Sequence, residues 1–347
     1  MIQILNIPQV CVFNSYISRL SNLQKEVGLF VVDKPVYFRD SINTNLNSQF
    51  RSKLIDNLFD SSQLGYKIIH LHWPEKFYKY ENSLIFLKEL LILKSQGYKI
   101  IRTLHNLLPH DTDGELNNID RELTKLSDII HVFTSKQKEI IKQRYSSEVV
   151  IIPHLNYFET IPKSIIGIKE LSKIYKNSKI AFLFFGRLRN YKNIEVFIKS
   201  IEINSNENLL FIIAGLPDNK NIEEKITALC LKDDRVIFIN RIVNEYEIPS
   251  LFLFSDVVVI PYNAWSSGVF TLSLNLRRVI MGKLPASVEF KPNCFLESKI
   301  DAVSLSENYD KITKESLSAV DLFDNSIISE GNDKIALSYK KMYSKWI

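Results

Sequence analysis

Short, nearly continuous apolar runs recur along this chain and alternate with amphipathic stretches long enough to form helices. Strands that are buried on both faces require such runs, and parallel strands require a long crossover connection. The alternation therefore predicts an α/β chain with doubly wound, parallel sheets. We expect ten strands, at Ile2–Ile7, Leu29–Asp33, Lys67–His72, Tyr98–Leu104, Asp128–Phe133, Val149–Pro153, Ile180–Phe185, Leu209–Ala214, Arg235–Ile239 and Asp256–Pro261. We expect crossover helices at Asn82–Ser95, Ser135–Arg144, Asn193–Ile203 and Ile222–Leu231.

The length of 347 residues and a break in this pattern predict two domains. A polar, lysine-rich stretch at Asn156–Ser178 separates the sixth strand from the seventh, and we interpret it as the linker. The first domain then spans residues 1–160 and the second spans residues 161–328. Residues 329–347 contain a predicted final helix that packs back onto the first domain. Its apolar side chains recur at helical spacing, at Ile335, Tyr339, Met342 and Trp346.

Composition excludes several other classes of protein. With 46% hydrophobic residues, 24% charged residues and three cysteines, the chain is neither disordered nor a disulfide scaffold. The apolar run Leu84–Leu93 is interrupted by Lys88 and Glu89 and is shorter than the roughly 20 residues that span a bilayer. Residues Met1–Val12 do not resemble a secretory signal, so we expect a cytoplasmic location. The net charge of +5 is too small to indicate nucleic-acid binding.

Basic residues follow one strand of the second half. The strand that ends at Phe185 leads into Gly186, Arg187 and Lys192 before a predicted helix. Glycine at a strand end lets the backbone approach a ligand closely, and cations beside a helix N-terminus favour anions. We interpret this turn as a diphosphate site, with a solvated basic loop as the alternative.

Two further turns follow predicted strands of the same half. Ser266–Gly268 open a helix after the strand that ends at Pro261, and backbone N–H groups there can receive phosphate oxygens. A plain helix N-cap would have the same sequence. Arg241 and Ile242 lie in a third turn, which could carry a nucleobase. Because all three turns follow parallel strands, we expect them at one ligand-binding edge of the sheet.

The succession of motifs along both halves resembles a known family. The motifs of the second half are Phe185-Gly186-Arg187-Leu188, Tyr191-Lys192-Asn193, Ala214-Gly215-Leu216-Pro217, Asp256–Tyr262 and Ser266-Ser267-Gly268. The motifs of the first half are Asn14-Ser15-Tyr16, His70–Glu75, Thr103–Asp111 and Ile152-Pro153-His154. In this order they resemble bacterial exopolysaccharide glycosyltransferases of the GT-B fold, of the family-4-like type.

The resemblance implies two Rossmann-like domains that face a cleft, with an acceptor-binding domain at 1–160 and a donor-binding domain at 161–328. It implies transfer from a UDP- or GDP-sugar to a saccharide, expected to be lipid-linked, in exopolysaccharide or capsule synthesis. We expect peripheral contact with the inner face of the cell membrane and no nucleic-acid partner. The expected donor-binding residues are Gly186, Arg187, Lys192, Arg241, Ile242, Tyr262, Ser266, Ser267 and Gly268. The expected acceptor-binding residues are Tyr16, His72, Trp73, His105 and Asn106.

The chain departs from retaining members of the family at two positions. Those enzymes carry two glutamates eight residues apart, and Trp265 and Ser273 stand at the corresponding positions here. We therefore expect an inverting mechanism, as in the related exopolysaccharide mannosyl- and glucuronosyltransferases. The alternatives are a non-catalytic nucleotide-sugar-binding or sugar-binding homologue and a sugar-nucleotide epimerase.

An inverting transfer requires a general base, and the first half offers candidates. Asp111 comes first because it ends a loop that contains Pro109, and Glu75 and His110 follow. Asp111 could instead be a helix N-cap. The histidines fit no compact zinc signature, and Asp111-Thr112-Asp113 only imitates the metal motif of the other large glycosyltransferase fold. We therefore expect neither a metal ion nor another cofactor.

Overall fold

The structure is a computed structural model of the chain. It describes residues 2–8, 15–32, 59, 65–74, 83–106, 114–158, 167–172, 179–288, 291–320 and 331–346. The chain divides into two compact units. The first unit combines Met1–Leu155 with Glu330–Ile347, and the second is Asn156–Ser329. Each unit is built around one parallel sheet.

The first unit contains six parallel strands. They are β1 (Ile2–Ile7), β2 (Phe30–Val31), β3 (Tyr66–Leu71), β4 (Lys99–Thr103), β5 (Ile129–Val132) and β6 (Glu148–Ile151). Their order in the sheet is β2-β1-β3-β4-β5-β6. The described helices of this unit are α1 (Tyr16–Glu26), α2 (Ser83–Ser95), α3 (Gly114–Leu126), α4 (Ser135–Lys142) and α11 (Asn332–Tyr343).

The final helix, α11, packs against α1 in the first unit. The hydroxyl groups of Tyr339 and Tyr16 lie 3.0 Å apart, and both side chains are buried. Ile335 and Met342 share the buried face of α11, as the helical spacing predicts. Residues that are distant in sequence therefore complete the core beside β1 and β3.

The second unit also contains six parallel strands. They are β7 (Ile180–Phe185), β8 (Leu209–Ala214), β9 (Val236–Ile239), β10 (Val257–Ile260), β11 (Val279–Gly282) and β12 (Phe295–Glu297). Their order is β12-β11-β10-β7-β8-β9. The helices described here are α5 (Ile194–Glu202), α6 (Lys220–Lys232), α7 (Ile248–Phe254), α8 (Gly268–Asn275), α9 (Ala302–Lys311) and α10 (Lys314–Ser318).

All ten predicted strands are present, and the parallel α/β architecture predicted from the apolar runs is confirmed. Two strands, β11 and β12, were not predicted. β12 has three residues, fewer than the four at which an apolar run begins to indicate a strand. β11 has four residues, as do the predicted strands β9 and β10, so its length does not explain why it was missed. The predicted strand at Leu29–Asp33 is shorter than expected, since only Phe30–Val31 pair with β1.

Part of the stretch interpreted as a linker belongs to the core of the second unit. The backbone N–H of Tyr157 donates to Asn275 Oδ1 at 2.9 Å, and Ile168 and Leu171 are buried in the same apolar cluster. This stretch therefore helps to build the second unit. In the ranges that the structure describes, no helix is both long enough and apolar enough to cross a bilayer.

Candidate active site

The second sheet has a point at which its connections diverge. β7 and β10 are neighbours, but the chain continues from β7 toward β8 on one side and from β10 toward β11 on the other. Open parallel sheets bind ligands outside the carboxyl ends of strands at such a point. The turn that contains Gly186 follows β7, and the turn Ser266–Gly268 follows β10, so both predicted phosphate-binding turns lie there.

Gly186 and Lys192 meet at the carboxyl end of β7. Gly186 has φ of +101°, a left-handed conformation that favours glycine. A Cβ atom on Gly186 would lie 2.9 Å from Lys192 Nζ and 3.8 Å from the Val269 side chain on α8. Lys192 Nζ also lies 5.7 Å from the ring centroid of Tyr262, within the range of a cation–π interaction. The amine therefore lies between the two turns.

The environment of Lys192 is unfavourable for its positive charge. Burial, and secondarily the charge of Arg189, lowers the pKa of Lys192 to about 8. Among the described residues, Lys192 forms no ion pair. A partly buried cation without an anionic partner is stabilised when an anion binds beside it.

Asn193 joins the loop after β7 to the end of β10. It adopts a left-handed conformation with φ of +56°, which asparagine tolerates better than most residues. Its side-chain amide donates to the carbonyl oxygen of Pro261 at 2.8 Å. Because Lys192 directly precedes this attachment, its backbone is held at a fixed place beside β10.

The N-terminus of α8 faces the same region. Ser267 Oγ accepts from the Phe270 backbone N–H at 3.3 Å and caps the helix, and it lies 3.3 Å from the Tyr262 hydroxyl. A Cβ atom on Gly268 would lie 3.3 Å from the Tyr157 hydroxyl, so glycine relieves crowding there. The first turn of a helix presents N–H groups and partial positive charge, which suits an anionic ligand.

Arg187 forms an ion pair in this structure. Its Nη2 and Nε atoms lie 2.6 and 2.7 Å from Asp218 Oδ1, and Arg189 Nε lies 3.8 Å from the same oxygen. Both partners of the Arg187 pair are partly exposed, so solvent weakens the interaction. The binding of the diphosphate by Arg187 stays a prediction. A phosphate group would have to compete with the Asp218 carboxylate for the Arg187 guanidinium.

Arg241 lies at the centre of a carboxylate cluster. Its guanidinium donates to Glu247 at 2.7 and 2.8 Å and to Glu170 at 2.8 and 3.1 Å. Hydrogen bonding to Arg241 lowers the pKa of both carboxyl groups. Ile242 is 40% exposed, so this turn offers an apolar surface beside a fixed cation. The nucleobase role of the turn stays a prediction.

In the first unit, four predicted acceptor-binding side chains lie together. The Tyr16 ring centroid is 5.7 Å from those of His72 and Trp73 and 5.1 Å from that of His105. Trp73 stacks on His105 with 3.9 Å between ring centroids. Asn106 follows His105 and is partly exposed.

The sequence predictions missed a polar network beside this cluster. His70 Nε2 and His131 Nδ1 lie 2.7 and 2.8 Å from Thr103 Oγ1, and His70 Nδ1 lies 2.6 Å from the Tyr343 hydroxyl. All four side chains are buried. His70, Thr103 and His131 stand near the carboxyl ends of the neighbouring strands β3, β4 and β5, and this shared position was the available signal.

Comparison with known proteins agrees with this geometry. Residues 168–273 match the glycosyl transferases group 1 family. A GDP-mannose:glycolipid 4-beta-D-mannosyltransferase of Xanthomonas campestris pv. campestris is 26% identical over an alignment of 289 residues, and the match covers 76% of each chain. Sucrose-phosphate synthase from Thermosynechococcus elongatus has a similar fold, with a TM-score of 0.72, 13% identity, and coverage of 99% of this chain and 98% of that one. HepE of Anabaena in complex with UDP-glucose has a TM-score of 0.70, 14% identity and 99% coverage of both chains.

The chain is a GT-B glycosyltransferase. The resemblance inferred from its motifs, the fold class and the enzyme class are thereby confirmed.

In the sequence of this GT-B glycosyltransferase, the residues on either side of the start of α8 include no aspartate or glutamate. Trp265 and Ser273 occupy the two positions where retaining relatives carry glutamate, and the buried Ser273 Oγ donates to the Val269 carbonyl oxygen at 2.7 Å. No aspartate or glutamate occurs between Asp256 and Glu289. The segment after β10 therefore presents only neutral or basic side chains to a ligand.

The three candidates for the general base of the glycosyltransferase, Asp111, Glu75 and His110, lie outside the described residues. The same holds for Asp113 of the imitated metal motif. Within the part of the chain that the structure describes, no three histidine, cysteine, aspartate or glutamate side chains gather in a group that could hold a metal ion.

Proposed function

We propose that this glycosyltransferase transfers a sugar from a nucleotide-sugar donor to a saccharide acceptor, with inversion at the anomeric carbon and without a metal ion. The observation that carries the proposal is the amine of Lys192, which lies beside Gly186 without an ion pair among the described residues and close to the N-terminus of α8. In this scheme residues 161–328 bind the donor, and residues 1–160 bind the acceptor.

The chemistry of transfer explains why this arrangement is suited to it. When the bond between the anomeric carbon and the diphosphate breaks, negative charge develops on the leaving oxygen. Fixed cations and N–H donors at that position stabilise the transition state more than the ground state. Lys192, Arg187 and the first turn of α8 provide such groups, and they perform the task that a divalent ion performs in other enzymes.

We propose GDP-mannose as the first donor to test and a glycolipid as the acceptor. Both substrates appear in the name of the Xanthomonas relative, which is 26% identical. The HepE complex contains UDP-glucose, but at 14% identity that likeness concerns the fold alone. A UDP-sugar is therefore the alternative donor. A lipid-linked acceptor fits synthesis of exopolysaccharide or capsule at the inner face of the cell membrane, with peripheral contact.

Two observations support inversion. The segment from Val257 to Val288 contains no carboxylate that could take the place of the glutamate pair of retaining relatives. The name of the Xanthomonas relative specifies a β-linked mannose, and a β-linked product made from an α-linked nucleotide sugar requires inversion. The general base is then a group of the first unit, with Asp111 ahead of Glu75 and His110.

The test is a transfer assay with the purified protein. GDP-mannose and UDP-glucose are each incubated with a lipid-linked oligosaccharide, with and without EDTA, and the product is analysed by mass spectrometry and by anomeric proton NMR. We expect a product from GDP-mannose, of inverted configuration, in both the presence and the absence of EDTA. A product of retained configuration, or activity that EDTA abolishes and Mn²⁺ restores, would contradict the mechanism. Nucleotide binding without any transfer product would favour the non-catalytic alternative.

A further inference from the structure

A continuous chain of hydrogen bonds crosses the buried core of the first unit and passes through the C-terminal helix. Its members, in order, are His72, Asn6, Gln24, Tyr343, His70, Thr103, His131 and the carbonyl group of Ile152. Every side chain that takes part in these hydrogen bonds is at most 2% exposed. Water therefore does not compete for these bonds, and each proton has a defined place.

The carbonyl end fixes the direction of the chain. Ile152 O can only accept, so His131 Nε2, at 2.9 Å, carries a proton. Burial lowers the pKa of His131 to about 4, so the ring is neutral and its Nδ1 accepts from Thr103 Oγ1. Thr103 Oγ1 has then given its only proton and accepts from His70 Nε2 at 2.7 Å.

The same reasoning continues through Tyr343. Burial lowers the pKa of His70 well below its usual value, so His70 is neutral and its Nδ1 accepts the Tyr343 hydroxyl proton at 2.6 Å. The Tyr343 oxygen then accepts from Gln24 Nε2, also at 2.6 Å. The Gln24 carbonyl oxygen consequently faces Asn6, whose Nδ2 donates to it at 2.8 Å.

The amide orientation of Asn6 determines the state of His72. Asn6 Nδ2 donates to Gln24 and also to Ser21 Oγ at 3.0 Å, so Asn6 Oδ1 is the atom that faces His72 Nε2, at 3.4 Å. This last bond is the longest in the chain. An oxygen at that place requires that His72 carry its proton on Nε2.

The other ring nitrogen of His72 is left unprotonated and unpaired. His72 is 2% exposed, and its Nδ1 has no hydrogen-bond partner among the described residues. The rings of Tyr16, Trp73 and His105 lie beside the His72 ring, with 5.7, 6.2 and 5.9 Å between ring centroids, and they belong to the predicted acceptor-binding group. A buried nitrogen without a partner is costly, and a ligand hydroxyl that donates to it would relieve this cost.

We propose that this chain of hydrogen bonds holds His72 as its Nε2–H tautomer, so that His72 Nδ1 accepts a hydrogen bond from one hydroxyl group of the saccharide acceptor. The identity of that hydroxyl group rests on the proposed function. Tyr343 is a positioning residue: it acts on the ligand only through Gln24, Asn6 and the ring of His72. A site that is built to accept from a hydroxyl rejects an analogue that lacks it, so His72 contributes to acceptor specificity.

The first experiment measures the tautomers directly. The protein is labelled with ¹⁵N-histidine, and long-range proton–nitrogen spectra are recorded at neutral pH, with the His72→Gln variant assigning the His72 signals. We expect neutral Nε2–H tautomers for His70, His72 and His131. A wild-type spectrum in which His72 is protonated on Nδ1, or on both nitrogens, would overturn the proposal whatever the enzyme transfers.

The second experiment compares two variants of α11. Tyr343→Phe removes the hydroxyl from the chain, and we expect His72 to lose its single tautomer. Tyr339→Phe removes a buried hydroxyl one helical turn earlier, which contacts the Tyr16 hydroxyl and takes no part in the hydrogen bonds that lead to His72. We expect the His72 signals to be unchanged in this variant. Equal effects of both variants would assign Tyr343 a merely structural role. If Tyr343→Phe does not fold, the wild-type spectrum still decides the proposal.

The third experiment addresses the ligand. His72→Ala is expected to raise the KM for the lipid-linked acceptor about two- to tenfold, as expected for one neutral hydrogen bond, while donor affinity stays unchanged. An unchanged KM with the expected tautomers would remove the acceptor role of His72. Absence of transfer in the wild-type protein would contradict the proposed function instead and would leave the tautomer result standing.

Discussion

The amine of Lys192 occupies the space that a side chain on Gly186 would need: Nζ lies 2.9 Å from the position of a Cβ atom there. The glycine at the end of β7 and the cation six residues later therefore form one structural unit. A substitution at either position should affect the same ligand, but through different causes.

Lys192→Ala should weaken nucleotide binding. The loss of a charged hydrogen-bonding partner costs about 1.5–3 kcal/mol, which corresponds to a roughly 10- to 150-fold higher Kd for GDP or UDP. Titration calorimetry measures this change. Lys220→Ala removes an exposed lysine of the same unit and serves as the control, with an expected unchanged Kd. Equal affinities for the parent and the Lys192→Ala protein would remove Lys192 from the diphosphate site.

Gly186→Ala should weaken binding and also destabilise the second unit. The new methyl group displaces the Lys192 amine, and an alanine at φ of +101° is strained by about 1–2 kcal/mol. Denaturant unfolding measures the stability, and calorimetry measures the nucleotide Kd. Gly167→Ala is the matched control, because a Cβ atom there meets no atom within 4 Å. A Gly186→Ala protein with full nucleotide affinity would show that the amine can move without loss.

Nucleotide affinity should fall with rising pH above about 8. The pKa of Lys192 is about 8 in the free protein, and a bound diphosphate raises it because the anion stabilises the charged form. Below the free pKa the amine is already charged and affinity is constant, whereas above it binding must also take up a proton. Above about pH 8 we expect the nucleotide Kd to rise by up to about tenfold per pH unit. Lys192→Arg should abolish this dependence, and the same slope in that variant would assign it to another group.

Arg187→Ala should raise the nucleotide Kd roughly tenfold or more, since a charged hydrogen bond contributes about 1.5–3 kcal/mol. Asp218→Asn should have the opposite and smaller effect. The Asp218 carboxylate competes with phosphate for the Arg187 guanidinium, and a partly exposed pair contributes at most about 1 kcal/mol, or a fivefold change. Weaker binding in Asp218→Asn would mean that Asp218 orients Arg187 for the ligand.

Asp111→Asn should strongly lower the rate of turnover and leave nucleotide affinity intact. Removal of a general base lowers the rate about 10²- to 10⁴-fold, because proton transfer from the acceptor hydroxyl then lacks its partner. The transfer assay and the nucleotide titration are run on the same preparation. Full activity in Asp111→Asn together with an inactive Glu75→Gln or His110→Gln protein would transfer the role to that residue.

The strands of the fold could be predicted because their apolar runs are long enough to be recognised. β7 and β8 have six residues each and were predicted with their observed bounds. β12 has three residues and is defined by pairing with β11, a property of the folded sheet rather than of its own sequence. Local sequence therefore predicts the central strands better than those at this edge.

The site could be predicted in part. The residue types of Gly186 and Lys192 and their place after a strand predict anion binding, and both residues lie at the divergence point of the sheet. The contact between Arg241 and Glu170 was not predicted, because the two residues lie 71 positions apart in sequence. Tyr343 was missed for the same reason, since it meets His70 across 273 residues.

The position of α11 bears on how the chain is made. The residues of α11 leave the ribosome after the whole of Asn156–Ser329, yet they supply the hydroxyl groups that contact Tyr16 and His70. Domains generally fold during synthesis in the order in which they emerge. Here the order is reversed: the second unit can be complete while the first still lacks a helix. Until α11 has emerged, the apolar surface of α1 that α11 covers remains open to chaperones and to other nascent chains.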